Sequence, residues 1–439
     1  MGRVRKFHIQ NFGCRATQAD GAALEGLLQG RGLSAGTSSK DADLVILNTC
    51  TVTATADDDL RKSVNRLRRE NPGARILVTG CYAQRAPEEI AALEGVTWVV
   101  GNSHKTQIAE IVFDTEYHSQ IHIGEIGAQE GFLSAPVTEA LGGRTRPNLK
   151  IQDGCSNVCS FCIIPAVRGK SRSMALEEVL AQVRHLAAHY REIVLTGINL
   201  GRWGRERGFE SGRGPLRLAG LLRILLAETE ASLFRLSSVE PMDFSDDLLA
   251  LMAAEPRIAK HVHAPLQSGS DAVLKRMKRK YRTRHYEDRI RRARALMPDA
   301  AFGADVMTGF PGETEEEFRE TVAFIESLPM TYLHVFTYSE RPGTPAAELG
   351  QVPWQIRKER TRVLRALGEA KNAEFRRRML GRPLRAVTLD NGTALTENYL
   401  QVELAGARPA NELITVTADA LTGQGLREAS AFPILQAAR

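Results

Sequence analysis

Three cysteines within eight residues, Cys155-Ser156-Asn157-Val158-Cys159-Ser160-Phe161-Cys162, constrain this 439-residue chain more than any other feature. Thiolates are the preferred ligands of iron in iron–sulfur clusters, and four of them normally close a [4Fe–4S] cluster. This C-x3-C-x2-C run supplies three. Cys162 is the last cysteine in the chain, so one iron would be left open to an outside ligand. Structural zinc is the competing use. It wants four N or S ligands and usually C-x2-C pairs, and histidines could complete such a set.

The other three cysteines each close the same short unit. Val4–Gln10 leads through Asn11-Phe12-Gly13 to Cys14, Ala42–Leu47 through Asn48-Thr49 to Cys50, and Ala74–Val78 through Thr79-Gly80 to Cys81, with a helical pattern after each. Strands alternating with helices imply βαβ units and a parallel sheet, because each return crossover needs a helix. Ligands of such sheets collect beyond the carboxyl ends of the strands. Cys14, Cys50 and Cys81 would therefore converge at one edge although they are 31 to 36 residues apart. Three separate buried cysteines acting as small hydrophobes would carry the same residues without a ligand.

Residues from about 113 to 146 read as a connection. A second α/β region opens with Asn148–Asp153, and β-like runs follow at Glu192–Thr196, Leu233–Ser237, His261–Pro265, Phe302–Met307 and Tyr332–Tyr338. With helical stretches between most of them, these predict a partial (β/α)6 barrel whose chemistry sits at the C-terminal strand ends. A long basic helix begins near Gln355. After Gly381-Arg382-Pro383 the runs Leu384–Leu389, Tyr399–Leu404 and Leu413–Thr417 predict a small antiparallel β-barrel. The expected division is 1–130, 144–375 and 380–439.

Hydrophobic residues make up 43% and charged residues 25%, the balance of a globular protein. No run of about 18 apolar residues occurs, which argues against a membrane span, and the first residues lack the apolar segment of a secretory signal. Both point to the cytoplasm, where six cysteines in a chain this long are too sparse for a disulfide scaffold. The net charge of +6 allows a polyanionic partner, and eleven Lys or Arg lie between Lys275 and Arg294, with a second concentration from Arg357 to Arg385. Either run could equally be a solvated helix face.

The compact triplet, at the end of the first barrel strand and with aromatic Phe161 before its last cysteine, resembles the radical S-adenosylmethionine superfamily. The resemblance implies that S-adenosylmethionine chelates the open iron and is cleaved reductively to a 5′-deoxyadenosyl radical. It also implies that Gly197 and Asn199 contact the methionyl amino group and that Phe161, Glu240, Gln267 and Asp305 lie near the cofactor. Both triplets and the small β domain together resemble the methylthiotransferase family over essentially the whole chain. That implies an auxiliary [4Fe–4S] cluster on Cys14, Cys50 and Cys81, which carries the sulfur, and a radical-generating [4Fe–4S] cluster on Cys155, Cys159 and Cys162. An RNA-binding domain of the TRAM type and an electron donor such as flavodoxin or ferredoxin are implied as well.

Asn48–Thr53, Gly80–Gln84, Leu195–Gly201, Ser237–Met242 and Leu333–Ser339 resemble the branch acting on N6-threonylcarbamoyladenosine in tRNA, with the anticodon stem-loop as partner. Alternatives are an isopentenyl-type adenosine, a ribosomal-protein aspartate or, outside the class, a non-catalytic iron–sulfur RNA-binding protein. After its first cysteine the family usually has Lys-x-Asn-Gln where this chain has Arg15-Ala16-Thr17-Gln18. Tyr399 is a candidate for stacking on a splayed base or for the core of the small barrel. Arg376, Arg377 and Arg378 are candidates for phosphate contacts.

Overall fold

The computed structural model describes residues 4–51, 54–113, 119–128, 145–206 and 216–430. Val52, Thr53, most of the connection after residue 113 and the last nine residues lie outside them.

The N-terminal sheet contains β1 (Lys6–Asn11), β2 (Ser34–Ala35), β3 (Leu44–Thr49), β4 (Arg75–Gly80), β5 (Val96–Gly101) and β6 (Ile121–His122), in the order β2-β1-β3-β4-β5-β6. Every pairing is parallel. All six residues of β3 are buried, because helices cover both faces. Val45 and Leu47 pack with Leu60, Val64 and Leu67 of the helix Ala54–Glu70. Leu44 and Ile46 pack on the other side with Leu24 and Leu28 of the helix Arg15–Gly30. Leu24 and Leu28 are fully buried, worth about 2 kcal/mol each.

The middle region contributes β7 (Asn148–Asp153), β8 (Arg172–Ser173), β9 (Glu192–Gly197), β10 (Leu233–Leu236), β11 (His261–His263), β12 (Ala301–Thr308) and β13 (Tyr332–Thr337). They form two sheets, β10-β9-β7-β8 and β11-β12-β13. A parallel bridge from Phe234 to Ile258 and the bond from Val239 N–H to His263 O (3.0 Å) join the sheets into the expected open barrel of six parallel strands. The additional β8 runs antiparallel to β7. Alternation sorts the strand residues. Leu149, Ile151, Ile193, Leu195, Phe234, Leu236, Val262, Phe302, Ala304 and Val306 join one outer core with the helices. Their neighbours Lys150, Gln152, Arg235, His261, His263 and Asp305 line the lumen instead.

The helix Trp354–Met379 then leads to a closed barrel of β14 (Pro383–Thr388), β15 (Thr393–Thr396), β16 (Gln401–Glu403), β17 (Leu413–Leu421) and β18 (Leu426–Glu428), ordered β14-β15-β16-β18-β17. Four pairings are antiparallel, as expected, but β16 and β18 run parallel, so the barrel is mixed. Phe375 and Met379, from the end of the helix, belong to its core. Among the described residues no helix is long and apolar enough to cross a membrane.

Candidate metal centres and the lumen between them

Three neighbouring strands of the first sheet deliver the dispersed cysteines to one edge. Cys14 caps the helix Arg15–Gly30. Gly13 before it has φ +120°, and a Cβ there would lie 2.4 Å from Cys50 Cβ, so the first two cysteine loops are pressed together. Gly80 is held just as closely: a Cβ would stand 2.3 Å from the Thr49 carbonyl oxygen. The next residue, Cys81, opens a short helix. Cys50 and Cys81 are buried and Cys14 is exposed.

The compact triplet follows β7. Gly154 (φ +66°) starts it at a place where a Cβ would be 2.0 Å from the Lys170 carbonyl oxygen. Cys155 N–H donates to Gly169 O (3.0 Å) and Ser160 N–H to Met277 O (3.1 Å), which anchors both ends of the loop. Polar groups also face the sulfurs. Arg279 donates to Cys159 Sγ (3.2 Å) and pairs with Glu240, while Asn199 Nδ2 stands 3.7 Å from Cys155 Sγ. Burial pushes the Cys162 thiol up to about 12 and raises Cys159 as well, so metal loading must displace protons here.

One cysteine of the dispersed triplet reaches the segment that follows the compact one. Cys81 packs on Ile163 and Val167, one and five residues after Cys162 in the chain. Arg168 Nε donates to Cys81 Sγ (3.2 Å), and the same guanidinium pairs with Asp20 (2.9 Å) and Asp153 (2.9 Å). Lys105 bonds Asp20 (3.0 Å), and Lys150 bonds Asp20 and also Asp153 (2.7 Å). All five side chains are buried. Burial opposes the charge of Arg168, but Cys81, Asp153 and Asp20 hold its guanidinium well above its ordinary value. Three buried cations against two carboxylates leave one positive charge, which is costly unless an anion lies beside it. The Cys81 sulfur is the group that lies beside it. Sequence reasoning missed this network because its partners are up to 148 residues apart.

The donor sets fit clusters better than single ions. In neither triplet do all three thiols lie within 4.8 Å of one another. Tetrahedral zinc, with Zn–S bonds of about 2.3 Å, requires sulfurs roughly 3.8 Å apart.

The other expected site residues lie around the C-terminal end of the lumen or at its foot. Phe161 stands edge-on to Phe310, with ring centroids 6.5 Å apart. Gly197 lies against Gln152, whose Oε1 accepts from Asn199 N–H (2.6 Å). Gln267 (φ +65°) donates its N–H to Asp305 O (2.8 Å), tying its loop to β12. The Asp305 side chain faces His263 and His334. Tyr399 closes the foot. It stacks on His261 (4.4 Å between centroids), Arg235 lies over its ring, and Arg15 donates to its hydroxyl (3.0 Å). Those neighbours hold its ring, which stays half-buried, at the junction of all three regions. Arg376 donates to Thr422 O and Gly425 O within the small barrel, and Arg378 donates to Pro298 O, whereas Arg377 is exposed.

Residues 6–101 match the family described as Uncharacterized protein family UPF0004, and residues 149–325 match the radical SAM superfamily. The threonylcarbamoyladenosine tRNA methylthiotransferase MtaB of Aquifex aeolicus is 37% identical over 417 residues, 94% of this chain and 99% of that protein. The Bacillus subtilis protein of the same name is 39% identical over 377 residues, 84% of this chain and 81% of its own length. A tRNA-2-methylthio-N(6)-dimethylallyladenosine synthase of Streptomyces griseus is 34% identical over 428 residues, 94% of this chain and 82% of the relative. Among solved structures, the radical S-adenosylmethionine methyltransferase TsrM of Kitasatospora setae superposes with a TM-score of 0.58 at 16% identity, covering 79% of this chain and 75% of that one. That likeness is one of fold.

Proposed function

The chain belongs to the family of radical S-adenosylmethionine tRNA methylthiotransferases, and from that premise we propose that it places a methylthio group at C2 of N6-threonylcarbamoyladenosine in the anticodon stem-loop of tRNA. The observation that carries this reading is the packing of Cys81 on Ile163 and Val167, which sets one thiol of the dispersed triplet beside the segment that follows the compact one. Sulfur insertion at an inert C–H bond needs both triplets.

Cys155, Cys159 and Cys162 would hold one [4Fe–4S] cluster, and Cys14, Cys50 and Cys81 the other. When bound, these clusters and S-adenosylmethionine supply the radical, the sulfur and the methyl group. The protein's own groups orient and balance charge. Arg168 and Arg279 each donate to one cysteine sulfur, and hydrogen bonds of this kind tune cluster potentials. Gly197, Asn199, Glu240 and Gln267 border the cofactor end of the lumen.

Most arginines of the basic run are spent on internal partners, among them Arg276 on Glu317 and Arg289 on Asp246. Lys275, Lys278 and Lys280 remain exposed on the segment whose Met277 carbonyl anchors Ser160. They can meet phosphates at the mouth, as Arg377 can farther away, with an affinity that falls with salt. The electron donor would be a small acidic carrier such as flavodoxin or ferredoxin.

The test is nucleoside profiling of tRNA from a deletion strain. The 2-methylthio form of threonylcarbamoyladenosine should vanish, return with the wild-type gene and stay absent with Cys155→Ala. If the 2-methylthio form of isopentenyladenosine changes instead, the substrate assignment is wrong.

A further inference from the structure

A hydrogen-bonded chain climbs the inside of the barrel wall and ends on two unspent atoms. His261 Nε2 lies 2.7 Å from the Tyr332 hydroxyl, which lies 2.8 Å from His263 Nδ1. His263 Nε2 is 3.1 Å from Asp305 Oδ1, and His334 Nδ1 is 3.3 Å from the same oxygen. The register of β12 and β13 sets Asp305 and His334 directly opposite each other.

Proton accounting orients the chain. A carboxylate only accepts, so His263 Nε2–H and His334 Nδ1–H both donate to Asp305. His263 Nδ1 then accepts from the Tyr332 hydroxyl, and Tyr332 accepts from His261 Nε2–H. The remaining nitrogen, His261 Nδ1, is buried without a partner, as an unprotonated nitrogen can be. Burial, reinforced by Arg235 and Arg15, holds His261 well below its ordinary value and so keeps it neutral. Burial alone would raise Asp305, but the bonds from the two imidazoles hold it well below the usual carboxylate range.

His261 and His263 behind this point are buried, whereas the His334 side chain is 48% exposed. Asp305 Oδ2 and His334 Nε2 have no bond within the described protein and border the open lumen. An acceptor and a ring nitrogen held this rigidly suit a ligand with its own donors and acceptors in a row. They do not suit an apolar one, which would strip their water and return nothing.

We propose that Asp305 and His334 read the polar N6-substituent of the target adenosine. Asp305 Oδ2 accepts from its ureido N–H, and His334 Nε2 accepts from its hydroxyl. This inference rests on the threonylcarbamoyl substrate argued above and adds the residues that distinguish it. An isopentenyl group in the same place would leave both atoms desolvated and unpaired, and sites built to bond a polar substituent reject analogues that lack it. His263, Tyr332 and His261 act through Asp305 as positioning residues.

The test uses the reconstituted full-length protein and three anticodon stem-loop RNAs, identical except that the target adenosine carries threonylcarbamoyl, isopentenyl or nothing. By fluorescence anisotropy the wild type should bind the threonylcarbamoyl RNA at least about tenfold more tightly than the isopentenyl RNA. His334→Phe should remove that preference and raise KM for the threonylcarbamoyl RNA by more than it lowers kcat. Asp305→Asn, which keeps the shape of the side chain, should do the same if the phenylalanine variant fails to fold.

A preference that persists in folded variants would overturn the proposal, as would a wild type that modifies the threonylcarbamoyl RNA yet binds all three alike. Two imidazoles and a carboxylate can also hold a transition metal. A metal ion bound in addition to the cluster iron, and lost in His334→Phe, would make this a metal site and overturn substrate reading. If the wild type leaves threonylcarbamoyl RNA unmodified, it is the functional assignment that fails.

Discussion

Replacing Cys14 with alanine should abolish the methylthiolated nucleoside while leaving reductive cleavage of S-adenosylmethionine measurable; replacing Cys159 should abolish both. The two triplets sit on separate scaffolds, which is why the defects should separate. Cys14 caps a helix of the first sheet, and its loop presses on Cys50. Cys159 belongs to a loop anchored through Cys155, Ser160 and Met277 within the barrel. Neither anchorage passes through the other. Iron content should fall by about half in each variant, since each keeps one [4Fe–4S] set. Product should drop by at least about a thousandfold in both, the scale on which loss of an essential group is felt. The decisive reading is 5′-deoxyadenosine from Cys14→Ala: if none forms although half the iron remains, the assignment of one cluster to cleavage and the other to sulfur is wrong.

The second large effect concerns stability. Asp20 is the common partner of Lys105, Lys150 and Arg168, all buried. Asp20→Asn keeps the shape but leaves three cations facing the single carboxylate of Asp153. Removing one partner from a buried ionic group costs about 3–5 kcal/mol. The first thermal transition should fall, and the junction between sheet and barrel should open to protease. Lys105→Met in the Asp20→Asn background should recover part of the loss, because it restores the charge balance; simple additivity would contradict the network. The pH dependence has a definite sign. Burial would raise the Asp20 carboxyl, but Lys105, Lys150 and Arg168 hold it well below its ordinary value. Its contribution is therefore complete above the unfolded value of about 4 and is lost as pH falls through the folded one.

The parts of this molecule that repeat were legible in the sequence. Buried β-rich runs ending in Gly or polar residues located the three sheet strands that deliver the dispersed cysteines and all six parallel barrel strands, but not β2, β5 or β6. The reason is local: strand-end chemistry and apolar alternation are written within a few residues. The antiparallel β8 is two residues long and has no period to read. The parallel pairing of β16 with β18 depends on barrel closure, which strand runs alone do not encode. The lumen was the least legible part. Hydrophobic alternation shows which residues meet the helices, but the polar residues between them carry no sign of whether they face water or one another. His263, Asp305 and His334 lie on three strands, and Lys105, Asp20 and Arg168 on three segments, so only the assembled barrel brings them together. Basic density misled for the same reason. Arg279 stands in a run that reads as surface, yet its guanidinium is buried against Cys159 and Glu240.

The stacking of Tyr399 on His261, above the fully buried Arg235, gives the barrel a floor. Closing that end directs traffic toward the strand ends at the other, and a shared entrance there would make whatever seats deeper arrive before, and leave after, whatever seats above it. Such a compulsory order of exchange would be read directly in product-inhibition patterns, and it would be set by a tyrosine from the domain farthest from the chemistry.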